Sequence, residues 1–233
     1  HTEHSLENLD VEPSRRQRAA RLVGWLRVDM ENLARVIDSC DARVVQGRKV
    51  PVEDKVLSIS DCDVGFIAKG GREPVVGYKP QLGRSGAGFI TALGVPLGNA
   101  ADSGQLVPMF EQHVERTGAI PGTVSVDDGY SSALGRAHLQ QRGVKVASIS
   151  GSKGKHITPV DEWNDLDYVA ARDGRSAVES LMFTIKHGFD FGRVARRGID
   201  NVRAELLEKV LAYNFCRMAA CRREDAQSRR IAA

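Results

Sequence analysis

The sequence predicts an α/β fold in which a mixed sheet is flanked by helices and preceded by an N-terminal helix. Three features indicate this class: apolar residues at helical intervals near the start, two alternating segments with a short connection, and later strands that alternate with helical segments. With 233 residues and 42% hydrophobic side chains, the chain is long enough to bury one sizeable core.

The first helix is predicted at residues 14–38, because apolar side chains recur there every three or four positions along one face. These side chains are Ala19, Leu22, Val23, Leu26, Met30, Leu33 and Ile37. Residues 44–45 and 56–60 are rich in valine and isoleucine, and they are predicted to be short extended segments.

A hairpin is predicted next, since residues 77–83 and 88–95 resemble two strands and only four residues join them. Pro80 has no N–H to donate, so the first strand is expected at a sheet edge or with a bulge. The later elements are predicted in this order: a helix from about Asp102 to Gly118, a strand at 123–126, a helix ending at Gly143, a strand at 144–149, a flexible basic loop at 150–156, and helices at 176–187 and 199–222.

These elements divide the chain into an arginine-rich helical segment at 1–43, an α/β domain at 44–221 and a polar tail at 222–233. The net charge of +3 and the pI of about 8.7 are compatible with a polyanionic partner. Arginines cluster at 15–27 and 193–203, either as phosphate-facing stripes or as solvated helix faces. The four cysteines form no CxxC pair, and no apolar run approaches the roughly 20 residues of a membrane span, so a cytoplasmic protein is expected.

Asp127 is the first candidate for chemistry, because it directly follows the predicted strand at 123–126. The carboxyl ends of strands in α/β sheets are where ligands and catalytic groups are presented. The alternative is that Asp127 and Asp128 only shape a turn, since Asp and Gly favour turns.

A second candidate is the set Arg175, Glu179 and Lys186, which project from one face because eleven residues are close to three helical turns. The alternative is an ordinary surface ion pair at i, i+4. A strand-end aspartate and a helical glutamate flanked by cations are suited to two divalent metals that bridge a phosphate. Mg²⁺ fits because it prefers oxygen ligands.

Five segments in order resemble motifs of the DDE transposases of bacterial insertion sequences. Arg175-x₃-Glu179-x₆-Lys186 resembles the R(3)E(6)K signature around the third catalytic acid, and residues 126–130 (VDDGY) resemble the segment around the second. The others are residues 98–103, which resemble the GNxxDs loop, residues 77–79, which resemble the GxK strand, and Arg197-Gly198 with residues 212–214, which resemble the closing helix. Together they span about residues 49 to 218.

The resemblance implies an RNase H-like catalytic domain that cleaves phosphodiester bonds and transfers DNA strands with Mg²⁺ or Mn²⁺ at a two-metal site. It makes Asp127 and Glu179 the catalytic acids and metal ligands, and Arg175 and Lys186 the DNA or phosphate contacts. It also implies transposon ends and target DNA as partners, a homodimer in a synaptic complex, and a nucleoid-associated location in the bacterial cytoplasm. The alternative is a truncated, inactive remnant that only binds DNA.

Two positions depart from the family pattern. Arg172 stands where a tyrosine often precedes the signature arginine by three residues. The first catalytic aspartate, usually in a D-x-T segment, has no counterpart here; it is expected upstream of His1, with Asp61 or Asp63 as the alternative. Because Asp127 and Glu179 alone supply few oxygens for two octahedral ions, little cleavage is expected from this chain by itself.

Overall fold

The computed structural model describes residues 12–51, 55–68 and 73–231, with side chains through residue 228. The chain divides into two compact units, residues 1–77 and residues 78–233. The predicted α/β class with an N-terminal helix is confirmed. The finer division at residues 43 and 221 stays a prediction.

The first unit begins with the predicted helix, α1, at Pro13–Cys40. Proline is at home in the first turn because its missing N–H would have no helical partner there. The extended segment predicted at residues 44–45 is wrong, since the chain continues through one π-helical turn at Asp41–Val45. Valine favours strands only where a neighbouring strand is available, and here the helix continues instead.

The strands of the first unit lie further along than predicted. Residues 56–60 form no strand, which makes that prediction wrong. Instead, β1 at Gly65–Ile67 pairs antiparallel with β2 at Val75–Gly77. The sequence prediction failed because a strand needs a partner, and the apolar character of 56–60 does not supply one.

The second unit begins with the predicted hairpin, which is confirmed. Strand β3 at Gln81–Arg84 pairs antiparallel with β4 at Ile90–Gly94, and the register shifts between Gly83 and Arg84 as in a β-bulge. The first strand is shorter than predicted because it starts only after Pro80, which cannot donate to a ladder.

A parallel pair of strands follows. A 3₁₀ turn at Asp102–Gln105 leads into α2 at Leu106–Thr117, which ends at Gly118 with φ 67°. Strand β5 at Thr123–Val126 runs parallel to β6 at Val146–Ile149, and α3 at Ala133–Gln141 connects them. The strands of the described residues thus form three separate two-stranded sheets.

Five helices complete the unit. They are α4 at Gly151–Ile157, α5 at Val160–Trp163, α6 at Leu166–Asp173, α7 at Ser176–Gly188 and α8 at Ile199–Ile231. The flexible loop predicted at 150–156 is therefore wrong. The last helix extends beyond Arg222, where the periodicity predicted its end.

Two hydrophobic clusters hold the second unit together. One packs β4 against α7 and α8 through Ile90, Leu93, Leu181, Ile185 and Leu206, among others. The other packs α2 and α3 against β6 through Leu106, Phe110, Leu139 and Ala147, among others. Strand β5 therefore ends beside the second cluster, whereas α7 belongs to the first.

The outer edge of β4 is satisfied by side-chain amides. The Asn214 amide on α8 accepts from the Ile90 N–H at 2.9 Å and donates to the Ile90 carbonyl at 2.8 Å. The Gln112 carbonyl on α2 accepts from the Leu93 N–H. These bonds replace part of a strand ladder, because buried backbone groups need partners.

A buried carboxylate fixes the segment between α7 and α8. Glu205 on α8 accepts hydrogen bonds from the backbone N–H groups of Ala195 and Arg196, and it forms a 2.8 Å ion pair with Lys209. Burial by itself raises the pKa of Glu205, but the bonds from Lys209, Arg196 and Ala195 outweigh it and lower the pKa to about 2.

We expect Glu205→Gln to lower the free energy of unfolding by roughly 1–3 kcal/mol, because the Lys209 ammonium loses its buried counter-charge. A carboxylate with a depressed folded-state pKa stabilises above its ordinary pKa of 4.5, and this contribution is lost as pH falls toward about 2. The difference between wild type and variant should therefore vanish across that window in chemical denaturation. Glu208→Gln is the control, since Glu208 forms an exposed ion pair with Arg196. Equal effects of both substitutions would contradict the assignment.

Candidate active site at the end of β5

Asp127 lies at the carboxyl end of β5, as the sequence predicted. Its backbone is extended, and its Oδ1 accepts the N–H of Gly129 at 2.9 Å. The side chain is exposed. This geometry serves a turn and also presents a carboxylate at the strand end, so it is compatible with both interpretations of the sequence.

Asp128 joins the same turn to helix α4. Its Oδ1 accepts the backbone N–H groups of Lys153 at 2.8 Å and Gly154 at 3.0 Å. Gly151 has φ +91°, and a Cβ there would lie 2.5 Å from the Asp128 Cγ, so only glycine fits. The carboxylate thus satisfies N–H groups at the start of α4, which explains why a helix forms where the sequence suggested a loop.

A hydrogen-bond network connects the turn after β5 to β3. The Tyr130 hydroxyl donates to the Gln81 Oε1 at 2.9 Å, and the Gln81 Nε2 donates to the Asp102 Oδ1 at 2.7 Å. Lys79 forms a 2.7 Å ion pair with the same oxygen of Asp102. The network therefore joins three of the motif segments: residues 77–79 through Lys79, residues 98–103 through Asp102, and residues 126–130 through Tyr130.

Asp102 lies close to Asp127. A Cβ built on Gly129 would lie 3.0 Å from the Asp102 Oδ2 and 3.1 Å from the Asp127 Oδ1, so the two carboxylates flank the same point. Asp102 stands at the predicted start of the following helix, and the structure places it as the first residue of a 3₁₀ turn whose N-cap is Ala101. Asp102 carries a negative charge beside the candidate catalytic residue.

The electrostatics of Tyr130 reflect this arrangement. Burial raises the pKa of the Tyr130 hydroxyl well above its usual value, and the nearby charges of Asp102 and Asp127 raise it further. The hydroxyl therefore stays protonated and remains a donor to Gln81.

The second group of predicted site residues lies on α7 and at its N-cap. Arg175 forms a 3.0 Å ion pair with Glu179, whose side chain is 65% exposed. Lys186 is exposed on the same helix. The core-facing side of α7 consists of Leu181 and Ile185, whereas Phe183 is exposed and contacts the His187 ring. The structure brings Arg175 and Glu179 together; the predicted approach of Glu179 to Asp127 stays a prediction.

The carboxylates at this site are the type of ligand that Mg²⁺ prefers, but the described residues bring too few of them together. Carboxylate oxygens are suitable ligands for hard cations. Within the part of the chain that the structure describes, however, no group of three or more His, Cys, Asp or Glu side chains is close enough to hold a metal ion. The described residues therefore do not by themselves assemble a two-metal centre.

One residue of this region, Gln81, was missed by sequence reasoning, and another, Arg172, was noted only as a departure from the family pattern. Gln81 is 5% exposed and holds the centre of the network, yet a single glutamine beside an apolar strand gives no sequence signal. Arg172 stacks its guanidinium over the Trp163 ring, 4.9 Å from the centroid. The residue in the place of the family's tyrosine thus has a structural partner.

We expect Asp102→Asn to lower the pKa of Tyr130, because the substitution removes a negative charge that opposes formation of the phenolate. An NMR titration with isotope-labelled tyrosine measures this directly. Asp173→Asn is the control, because Asp173 is an exposed aspartate that pairs with Arg172. An unchanged Tyr130 titration in Asp102→Asn would show that this carboxylate does not face the hydroxyl.

Comparison with known proteins identifies the family. A family model described as "Transposase DDE domain" matches residues 31–215, which is most of the chain. No curated protein and no solved structure matched. No helix in the described ranges has both the length and the apolar character needed to cross a membrane. The order of the five motif segments, the network that joins three of them at the end of β5 and the family match agree, and the chain belongs to the transposase DDE-domain family.

Proposed function

We propose that this chain is the catalytic domain of an insertion-sequence DNA transposase, which cleaves phosphodiester bonds and transfers DNA strands. Membership of the family implies a DNA substrate. Asp127 and Glu179 are the catalytic carboxylates and the ligands of a divalent cation, Mg²⁺ or Mn²⁺. Arg175 and Lys186 contact phosphate. In the cell the protein acts in the cytoplasm at the nucleoid.

The observation that carries the proposal is the network at the carboxyl end of β5. Lys79, Asp102 and Tyr130 come from three separate motif segments, and their bonds meet at Gln81 or Asp102 beside Asp127. A turn held by several bonds keeps a catalytic side chain in place, and misplacement by about 1 Å costs on the order of 10²-fold in rate.

The cations on α7 have a role that follows from their chemistry. Arg175 is paired with Glu179. A guanidinium binds phosphate through two parallel hydrogen bonds, and it does not compete for a metal ion. Arg175 can therefore orient Glu179 and contact a DNA phosphate, while Lys186 adds a point charge on the same helix face.

Cleavage is tested with supercoiled plasmid that contains the DNA flanking the coding sequence, incubated with Mg²⁺. If the protein nicks this DNA, Asp127→Asn and Glu179→Gln should each reduce the rate by at least about 10²-fold. Asp173→Asn and Glu208→Gln are matched controls, because both remove exposed carboxylates in local ion pairs. Nicking that survives Asp127→Asn would overturn the assignment.

The second candidate function is DNA binding without cleavage. It is favoured by the finding that the described side chains assemble no three-ligand metal group. In that case the purified chain binds DNA but does not nick it with either cation. Asp61 offers a third carboxylate: nicking that is abolished by Asp61→Asn, with DNA binding intact, would assign the missing ligand to Asp61.

Both functions predict salt-sensitive binding to duplex DNA. Each phosphate contact should contribute about 0.9 to the slope of log affinity against log salt. We expect Lys186→Gln to reduce the slope by about that amount in fluorescence anisotropy. Lys145→Gln is the control, since Lys145 precedes β6 at the end of the parallel pair away from Asp127. Equal changes in the two variants would argue against a phosphate contact at Lys186.

A further inference from the structure

Helix α1 carries a row of large apolar side chains that are exposed, and the row continues toward its start through the half-buried Ala19 and Val23. None of its 28 residues is buried. Leu26, Met30, Leu33 and Ile37 are 60%, 70%, 45% and 57% exposed, respectively. A run of large exposed apolar residues along one helix is characteristic of an interaction surface.

The rest of the first unit covers a different side of this helix. Asn32 donates to the Ile59 carbonyl at 3.5 Å, and the half-buried residues around it are Val36 and Ser39. Asn32, Val36 and Ser39 therefore lie on a different side of the helix from the exposed apolar row. Residues 55–63 therefore flank the apolar face without occupying it.

The spacing of the apolar face is that of a coiled coil. Its residues are Ala19, Val23, Leu26, Met30, Leu33, Ile37 and Cys40, which alternate at intervals of four and three. This alternation is the heptad repeat, with Val23, Met30 and Ile37 at a positions and Leu26 and Leu33 at d positions. We call these seven residues the seam.

We propose that the seam of α1 pairs with the seam of a second copy of this chain in an antiparallel coiled coil. In antiparallel pairs, a positions pack against d positions of the partner helix. One register places Leu33 against Ile37 of the second copy and Met30 against Cys40, with the two-fold axis between residues 34 and 36.

Charge complementarity selects this register. The residues that flank the seam at e and g positions include Arg27, Asp29, Asp41 and Arg43. In the proposed register, Arg27 faces Asp41 of the second copy and Asp29 faces Arg43, and symmetry repeats both pairs. Charges at these positions set partner choice and orientation in coiled coils.

Other pairings lose this complementarity. In a parallel dimer, Arg27 would face Leu22 and Asp41 would face Val36. In an antiparallel pair with one heptad more overlap, Arg27 would face Ala34 and Asp29 would face Val36. Asp41 is the first residue of the π-helical turn, so it remains in phase with α1.

The association is tested by measuring the mass of the full chain across a range of protein concentrations, without DNA or metal. We expect twice the monomer mass of 25.4 kDa. Leu33→Glu places a charge at the centre of the seam and should raise the dissociation constant roughly tenfold or more. Val28→Glu is the matched control, because Val28 is similarly exposed on α1 but lies outside the seam.

Orientation is tested in two ways. Arg27→Glu should weaken the dimer, and the double variant Arg27→Glu with Asp41→Arg should restore it, because each charge meets its new opposite. Under oxidising conditions, the Met30→Cys variant should form a disulfide between the introduced cysteine and Cys40 of the second copy. Wild-type Cys40 should not link to its own counterpart, since the two lie about 15 Å apart along the axis.

Three results would overturn the proposal. A monomer at every concentration would mean that another part of the chain or a different partner covers the seam. Equal effects of Leu33→Glu and Val28→Glu would indicate association through another surface. A Cys40 to Cys40 disulfide, mapped by mass spectrometry, would show a parallel pair. All of these measurements are independent of cleavage, so they do not depend on the proposed function.

Discussion

The side-chain amide of Gln81 constrains the geometry of the region around Asp127. It is buried, and both of its ends are satisfied, by Tyr130 on one side and Asp102 on the other. An unpaired amide in such a place costs roughly 1–3 kcal/mol, so neither partner can move away without a penalty. Because Tyr130 belongs to the turn that begins at Asp127, the position of the candidate catalytic carboxylate is linked to β3.

The two candidate carboxylates are supported in different ways. Asp127 lies on a turn fixed by Gln81 through Tyr130 and by α4 through Asp128. Glu179 lies on an exposed flank of α7, and its described partner is Arg175, the N-cap residue just before this helix. An exposed i, i+4 pair is worth only about 0.3–0.5 kcal/mol, so Glu179 has much more freedom than Asp127. The proposed site therefore combines a rigid carboxylate with an adaptable one.

Local sequence patterns predicted the elements whose stability is itself local. The periodicity gave the correct positions of α1, α7 and the start of α8, and alternation with turn residues gave the hairpin and the parallel pair. Helix α4 was missed because its first N–H groups are satisfied by Asp128, far away in sequence. The role of Gln81 was missed for the same reason. Motif spacing pointed to Asp127 and Glu179, but which side chains surround them is decided by tertiary contacts.

The hydrogen bonds between the Asn214 side chain and β4 make the solubility of this sheet depend on the docking of helix α8. Asn214 closes the strand edge at Ile90 only while this helix stays in place. If the end of α8 frays as far as Asn214, both polar groups of Ile90 become available to a strand from another molecule. Exposed strand edges are templates for aggregation. A truncation that removes Asn214 and the residues after it would therefore produce a protein prone to intermolecular strand pairing, even though every strand remained intact.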